Sequence, residues 1–190
     1  MAKTESSLKN MVISLVAISF FASLALGGVY LVTKDPIAAA EKAKQEGAIK
    51  EVVPDFDSLF SYKIAAENGK DSISINQAYK AGKLVGTAVG TFSNKGYSAT
   101  QIKLMVGFLP DGAIQNISII QQKETPGLGT KMAEPKFKDQ FLKKNLAQFK
   151  VKVKKDGGEV DAITAATISS RAFCDAVNRA YQNYQKKGGN

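Results

Sequence analysis

The chain of 190 residues contains no histidine and only one cysteine, Cys174. A single cysteine cannot form a disulfide within the chain, and without histidine the sequence offers neither a Ser-His-Asp triad nor a cluster of soft metal ligands. We therefore predict no catalytic residue and no metal site. Hydrophobic residues make up 44% of the chain, which is enough for one folded domain with a core and an additional segment.

Negative charge is also scarce, because 17 acidic residues are set against 26 lysines and arginines, which leaves a net charge of +9. The excess is concentrated in residues 123–155, where ten lysines accompany Glu124, Glu134 and Asp139 for a net charge of +7. Such a region is a solvated surface, a docking surface for an acidic protein, or a contact with the outer lipid surface. These alternatives stay open, but nucleic acid is not an expected partner of a domain outside the cytoplasm.

The N-terminal segment predicts one membrane-spanning helix. Met11–Val32 comprises 22 mostly apolar residues without a charge, and a helix of that length spans about 33 Å, enough for a hydrocarbon core of about 30 Å. A cleaved signal peptide is the alternative, but its apolar region is typically about 7–15 residues long and ends at a small-x-small site. We therefore favour a retained anchor.

The orientation of this span follows from the basic residues beside it. Lys3 and Lys9 precede the span, whereas Lys34 follows it and is offset at once by Asp35. The count of basic residues favours a cytoplasmic N-terminus by a small margin. The sequence therefore predicts a single-pass protein of the cytoplasmic (inner) membrane, with its C-terminal domain on the periplasmic or extracellular side.

Residues 34–54 predict a stalk helix between the span and a folded domain. Asp35 suits the N-cap, Pro36 suits the first helical position, and the alanine, glutamate and lysine residues that follow favour helix. Gly47 weakens the helix and Pro54 stops it. We therefore divide the chain into 1–33 (cytoplasmic N-terminus and transmembrane helix), 34–54 (stalk helix or linker) and 55–190 (extracytoplasmic domain).

The C-terminal domain is predicted to be α+β, an antiparallel sheet with packed helices. Three β-rich runs are separated by turn residues: Leu84–Phe92, Ile102–Leu109 and Ile114–Ile120. Pro110–Gly112 favours a hairpin between the last two. Further predicted elements are a helix over 134–149, a half-exposed strand over 149–155, and a last helix with an apolar stripe from Phe173 to Tyr184, capped by Ser169 or Ser170.

The first loop that can carry chemistry is Lys123–Lys131, with the sequence KETPGLGTK. Its glycines allow a close approach of backbone to a ligand, although their spacing fits neither a Walker A nor a dinucleotide motif. Leu128 stands between two glycines. It either folds back onto the core in a tight connection or lies against a flat ring, and composition alone does not decide between them.

The second loop precedes the last helix. Four hydroxyl side chains stand within seven residues there: Thr164, Thr167, Ser169 and Ser170. Ala165 and Ala166 between them keep the surface open, and the start of a helix presents unpaired N–H groups that can bind phosphate. An ordinary Ser/Thr helix cap is the simpler alternative.

Both loops resemble those of FMN-binding domains in bacterial membrane electron-transport complexes. The stretch DAITAAT, Asp161–Thr167, is similar to the flavinylation motif Asp-x-x-(Ser/Thr)-Gly-Ala-Thr, and KETPGLGTK is similar to the loop that lies against the flavin. The order of the motifs and the single N-terminal anchor agree with the G subunit of the Rnf complex. The related C subunit of the sodium-pumping NADH:quinone reductase is the second match.

This resemblance implies one covalent FMN per chain, bound by a phosphoester to Thr167 and placed there by a separate flavin transferase that uses FAD. A threonine hydroxyl is a poor nucleophile without a base, so Thr167 is expected to be the substrate of that enzyme. The implied cofactor-binding residues are Thr167, Thr164, Ala165, Ala166, Ser169 and Ser170 at the phosphate, and Glu124, Thr125, Gly127, Leu128 and Gly129 at the ring. The sequence departs from the motif at Ala165, where the family has glycine.

The implied function is electron transfer within a membrane complex that couples ferredoxin:NAD⁺ electron transfer to Na⁺ or H⁺ translocation. The implied partners are the other membrane subunits, the flavin transferase and the lipid bilayer, and the chain is not expected to be catalytic alone. A membrane-tethered assembly or binding protein without cofactor is the alternative from another class, and Ala165 is the residue that favours it.

Overall fold

The chain divides into two compact units, Met1–Ala43 and Lys44–Asn190. The computed structural model describes residues 7–66, 69 and 71–187. Lys3, which contributes to the predicted orientation, lies outside the described residues. The second unit holds the sheet and both candidate loops. It begins at Lys44, whereas the sequence predicts that the domain starts at residue 55.

Helix α1, Leu8–Val52, includes the predicted span and continues through the predicted stalk. Its length and composition are sufficient for it to cross a membrane. The prediction that a new helix begins at Asp35 and Pro36 is wrong, because Pro36 lies inside α1. Proline leaves the carbonyl of Val32 without its usual partner, but this part of the helix is exposed and good helix formers follow it, so the helix continues.

A five-stranded antiparallel sheet forms the centre of the second unit, and its strands follow the chain order. They are β1 (Ser58–Ala65), β2 (Ser72–Lys80), β3 (Lys83–Ser93), β4 (Ile102–Phe108) and β5 (Ile114–Gln121). The predicted α+β class is confirmed, and β3 to β5 match the three predicted runs. The other two strands lie outside those runs, because β1 is a mostly exposed edge strand and β2 is rich in polar residues.

Two tight loops connect neighbouring strands. Ala81 and Gly82 join β2 to β3 with φ values of 49° and 75°, as a two-residue hairpin loop requires. The predicted hairpin at Pro110–Gly112 is confirmed between β4 and β5. Its N–H at Gly112, where φ is 82°, donates to the carbonyl of Leu109 at 2.9 Å and closes the turn.

The two faces of the sheet are covered by different helices. Helix α3, Thr167–Lys187, packs on β3 and β4, and its predicted stripe from Phe173 to Tyr184 is buried apart from the half-buried Tyr181. The opposite face holds a smaller cluster in which the end of α1 meets the sheet. Its buried members are Ala48, Ile49, Val52, Val53, Ala78, Ala88 and Met105. The last turns of α1 therefore belong to the folded domain.

The predicted helix over 134–149 is wrong beyond its first turn. Helix α2 covers only Pro135–Lys138, and a 3-10 turn follows it. Lys143 then adopts a φ of 59°, and its N–H donates to the carbonyl of Ile114 at 2.7 Å. The N–H of Ile114 in turn donates to the carbonyl of Lys144 at 3.0 Å. Hydrogen bonding to the start of β5 thus overrides the local helical preference.

The predicted strand over 149–155 is also wrong, although its burial pattern is right. Val151 and Val153 are buried and the lysines between and after them are exposed. Only one parallel bridge forms, between Val153 and Val160, and a 3-10 turn occupies Lys154–Asp156. Alternation along a segment reports which side chains are buried, and it does not supply the neighbouring strand that pairing requires.

We expect Cys174 on α3 to resist thiol reagents while the domain is folded. Burial raises the pKa of its thiol to about 12, so at pH 8 about one thiol in 10⁴ is ionised, against roughly a quarter in the unfolded chain. Labelling with an aromatic disulfide reagent should be roughly a thousandfold slower than in guanidinium, where one thiol per chain reacts. Rapid labelling of the native chain would contradict the buried position.

The same shift sets the direction of a pH effect. The folded state raises this pKa, so the contribution of Cys174 to stability is complete below about pH 8.5 and declines as the pH rises toward about 12. Denaturant midpoints measured between pH 8 and pH 11 should therefore fall more in the natural chain than in a Cys174→Ala variant.

Candidate functional site

The two candidate loops lie side by side and form one cavity of about 490 Å³. Its lining residues are Tyr97, Thr125, Leu128, Gly129, Ala165, Ala166, Thr167, Ile168 and Ser169. A volume of this size lies within the range of about 300–1,000 Å³ that is usual for cofactor and small-molecule sites. The loop after β5 and the start of α3, which are distant in sequence, therefore share one site.

The two threonines of the DAITAAT stretch have different surroundings. Thr167 is the first residue of α3, is half-buried, and lines the large cavity. Thr164 is exposed and lines a separate cavity of about 180 Å³, together with Asp161 and side chains that include Lys131. Of these two threonines, only Thr167 lines the larger cavity.

Ala165 stands between these threonines in the left-handed region, with a φ of 60°. Glycine adopts this conformation freely, whereas an L-residue with a Cβ is disfavoured there by about 1–2 kcal/mol. The backbone thus has the shape that glycine favours, at the one position where the sequence departs from the motif.

The start of α3 provides unpaired backbone donors. Among the described residues, no acceptor bonds the N–H groups of Thr167, Ile168 and Ser169, whereas the N–H of Ser170 donates to the carbonyl of Ala166 at 3.0 Å. Three free N–H groups at the N-terminus of a 21-residue helix form a local site of positive potential. Such a site suits an anionic group.

The predicted helix cap at Ser169 or Ser170 is wrong, because α3 begins two residues earlier and both serines lie in its first turn. Both are buried. The Ser170 hydroxyl donates to the carbonyl of Ala166 at 3.0 Å and accepts the N–H of Ile163 at 3.0 Å. The Ser169 hydroxyl donates to Glu124 at 2.5 Å. These hydroxyls hold the loop before α3 in shape through bonds within the protein.

The Glu124–Gly129 loop places an apolar side chain at the cavity. Leu128 is 39% exposed and lines the cavity instead of folding back into the core. Gly127 has a φ of 73°, and its N–H donates to the Thr130 hydroxyl at 3.0 Å, which fixes the turn. Thr125 and Gly129 contribute to the wall, whereas Gly127 and the buried Glu124 do not line the cavity.

Sequence reasoning missed two apolar side chains at the cavity. Tyr97, in the loop after β3, is 72% exposed, and Ile168, in the first turn of α3, is 47% exposed. The only local signal was the aromatic residue directly after Gly96. Single exposed apolar residues are ordinary on protein surfaces, and the cavity they share with Leu128 becomes visible only in three dimensions.

The matching family model defines the class of protein to which this fold and cavity belong. Residues 96–182 match the model of the FMN-binding domain. The match begins directly before Tyr97 and includes both loops of the cavity. The second unit of the chain thus contains an FMN-binding domain.

The chain belongs to the family formed by the G subunits of ion-translocating oxidoreductase complexes. It is 32% identical to the G subunit of the ion-translocating oxidoreductase complex of Aliivibrio fischeri (strain MJ11), over 94% of this chain and 91% of that relative. It is 34% identical to the G subunit of the Na(+)-translocating ferredoxin:NAD(+) oxidoreductase complex of Acetobacterium woodii, over 90% and 88%. The resemblance inferred from the motifs is confirmed.

A solved structure is also similar. The crystal structure of Shewanella oneidensis NqrC is 22% identical and aligns with a TM-score of 0.45 over 71% of this chain and 66% of that one.

Proposed function

We propose that this chain carries one FMN, bound through its phosphate to the hydroxyl of Thr167, and that it transfers electrons within a membrane complex. The observation that carries the proposal is the position of Thr167. This residue lines a cavity of about 490 Å³ that has unpaired N–H groups at the helix start and apolar residues elsewhere on its wall. FMN has the complementary division into an anionic phosphate and a flat conjugated ring whose faces can lie against apolar side chains.

The residues present fit both parts of FMN. The N–H groups of Thr167, Ile168 and Ser169 suit the phosphate, because a helix N-terminus favours negative charge. Leu128 and Tyr97 suit the faces or edge of the ring, because apolar and aromatic side chains bind flat conjugated groups. Once bound, the flavin supplies the redox chemistry, and the protein supplies its position and surroundings.

Attachment requires another enzyme. The Thr167 oxygen would form a phosphoester bond with the FMN half of FAD, AMP would leave, and the hydroxyl proton would pass to a base of the flavin transferase. The sequence contains no histidine that could activate the hydroxyl from within. Thr167 is thus the acceptor, and Thr164, Ala165, Ala166 and the serines shape the loop around it.

Helix α1 and the relatives support a place in the membrane. The helix is long and apolar enough to span a membrane, and the named relatives are subunits of ion-translocating complexes. We propose that residues 1–33 are the cytoplasmic N-terminus and anchor, that residues 34–54 lead from it into the domain, whose fold already includes the last turns of α1, and that residues 55–190 face the periplasm or cell exterior. The partners are then the other membrane subunits and the bilayer, and the complex couples ferredoxin:NAD⁺ electron transfer to Na⁺ or H⁺ movement.

A membrane-tethered assembly protein without cofactor is the second candidate, and alanine at position 165 is the observation that favours it. One experiment separates the two candidates. The full chain is co-expressed with a flavin transferase and analysed by a denaturing gel and intact mass. We expect in-gel flavin fluorescence and a mass gain of one FMN less water. Absence of both, in cells where a control acceptor protein is labelled, would exclude the first candidate.

We expect Ala165→Gly to accelerate flavin attachment. Glycine removes a left-handed cost of about 1–2 kcal/mol and adds about 0.5–1 kcal/mol of unfolded-state entropy, so the free energy of unfolding should rise by about 0–1.5 kcal/mol. The attachment rate is measured as fluorescence gain at limiting transferase, and stability by thermal denaturation. Ala166→Gly is the matched control, because Ala166 is buried without a positive φ, and it should destabilise the loop. Slower attachment in both variants would show that the backbone strain at Ala165 does not limit the rate of flavin attachment.

A further inference from the structure

Glu124 is a buried carboxylate directly behind the wall of the cavity. Its residue surface is only 3% exposed, and none of the ion pairs found in the described part of the chain includes it. A buried carboxylate without a cationic partner is rare, because desolvation is costly unless hydrogen bonds replace the lost water.

Three donors from two other segments supply those hydrogen bonds. Oε1 accepts the N–H of Ser98 at 3.1 Å, and Oε2 accepts the N–H of Tyr97 at 3.3 Å and the hydroxyl of Ser169 at 2.5 Å. Both oxygens therefore act as acceptors of hydrogen bonds. The contact with Ser169 reaches the first turn of α3, two residues from Thr167.

Two glycines leave the space that this carboxylate occupies. A Cβ on Gly96 would lie 2.6 Å from Glu124 Oε1. A Cβ on Gly129 would lie 2.6 Å from Glu124 Cβ and 2.6 Å from the Ser169 oxygen. Neither glycine has a positive φ, so both positions require glycine for room and not for conformation. The carboxylate thus fills a closely packed space between three segments of the chain: residues 96–98, its own loop and the first turn of α3.

We propose that Glu124 is the positioning residue of the flavin site, a role that rests on the proposed function. Its carboxyl group joins the loop of Tyr97, its own loop and the first turn of α3 into one rigid unit. Through Ser169 it holds Thr167 in the geometry that attachment requires before FMN is present. This role differs from the ring contact expected from the sequence, because the carboxylate lies behind the cavity and not in it.

The isosteric variant Glu124→Gln tests whether the side chain at position 124 positions Thr167 through its hydrogen bonds or only fills space. Glutamine has the same shape, but one oxygen becomes an NH₂ group, and no rotation of the amide can accept all three donors. In flavin transfer with purified transferase and FAD, below the unfolding temperature, we expect kcat to fall at least tenfold while KM for the chain changes less than twofold. The exposed Glu134→Gln, which changes charge equally, is the matched control and should leave both constants unchanged.

A second measurement does not depend on the flavin. Hydrogen exchange of the unmodified full chain should show the Tyr97 and Ser98 amides exchanging at least tenfold faster in Glu124→Gln than in the natural chain. If Glu124→Gln folds poorly, Ser169→Ala removes one of the three bonds and should give a smaller change in the same direction. A variant with both Glu124→Gln and Ser169→Ala should transfer flavin no more slowly than Glu124→Gln alone, because both changes remove the same hydrogen bond between Ser169 and Glu124.

The outcomes are distinguishable. If the natural chain is never flavinylated, the proposed function fails, and exchange rates alone decide whether Glu124 rigidifies the site. If the natural chain is flavinylated and Glu124→Gln matches it in kcat, or if its amides exchange at the natural rate, the positioning role of Glu124 is overturned.

Discussion

Replacing Thr167 by alanine is expected to abolish covalent flavin attachment, whereas Thr164→Ala should leave it largely intact. Thr167 lines the large cavity beside the unpaired N–H groups of α3, while Thr164 is exposed and lines a different cavity. The Thr167 hydroxyl makes no hydrogen bond within the described chain, and alanine favours helix, so the variant should fold normally. Loss of the signal therefore reports the missing acceptor.

In-gel fluorescence and intact mass after co-expression with the transferase give the result directly. Thr167→Ser keeps a hydroxyl at the same position and should retain part of the signal, so it serves as the matched control. Full labelling of Thr167→Ala would show that Thr167 is not the acceptor. Loss of labelling in Thr164→Ala, with Thr167 unchanged, would point to Thr164 instead.

The second large effect concerns the start of the domain. A soluble fragment that begins at Lys44 should fold, whereas one that begins at Asp55 should lose most of its stability. The shorter fragment lacks the buried side chains of Ile49, Val52 and Val53, which cover Ala78, Ala88 and Met105. Burying three such aliphatic side chains contributes about 4.5–9 kcal/mol as an upper estimate, and a whole domain is stable by only about 5–15 kcal/mol.

The contact between α1 and the sheet is also close at the backbone. A Cβ on Gly107 of β4 would lie 1.8 Å from the carbonyl oxygen of Val52, so the helix end rests on the strand itself. Urea denaturation of both fragments, with binding of a hydrophobic dye as a second measure, tests the expectation. Equal urea midpoints would show that the domain begins at Asp55, as the sequence indicated.

The parts of the fold that were predicted correctly have strong local signals. Turn residues delimit β3 to β5, and a 3.6-residue period marks α3. The segment over 134–149 was predicted wrongly because residues 143 and 144 exchange backbone hydrogen bonds with Ile114, which is distant in sequence. The segment over 149–155 was predicted wrongly because its backbone makes turns and a single bridge with residues 159 and 160 instead of pairing with a strand. A local pattern contains no information about such partners.

In the candidate site, too, features with a local sequence signal were predicted, and features that depend on residues distant in sequence were not. Composition singled out the two loops separately, and the resemblance joined them, but only the folded chain places Leu128 and Thr167 in one cavity. Tyr97 and Ile168 were missed because an exposed apolar residue looks ordinary in a sequence. Glu124 was expected at the ring, and its buried position follows from donors that are distant in sequence.

The left-handed backbone at Ala165 also determines which sequences this loop can accept. Asparagine and aspartate tolerate that conformation better than other side chains, and β-branched residues tolerate it worst. A library that varies position 165 should therefore return glycine, alanine, asparagine and aspartate among its folded members and reject valine, isoleucine and threonine. The backbone thus restricts variation at this position, two residues before Thr167, to a few residue types, whatever the sequence of the rest of the domain.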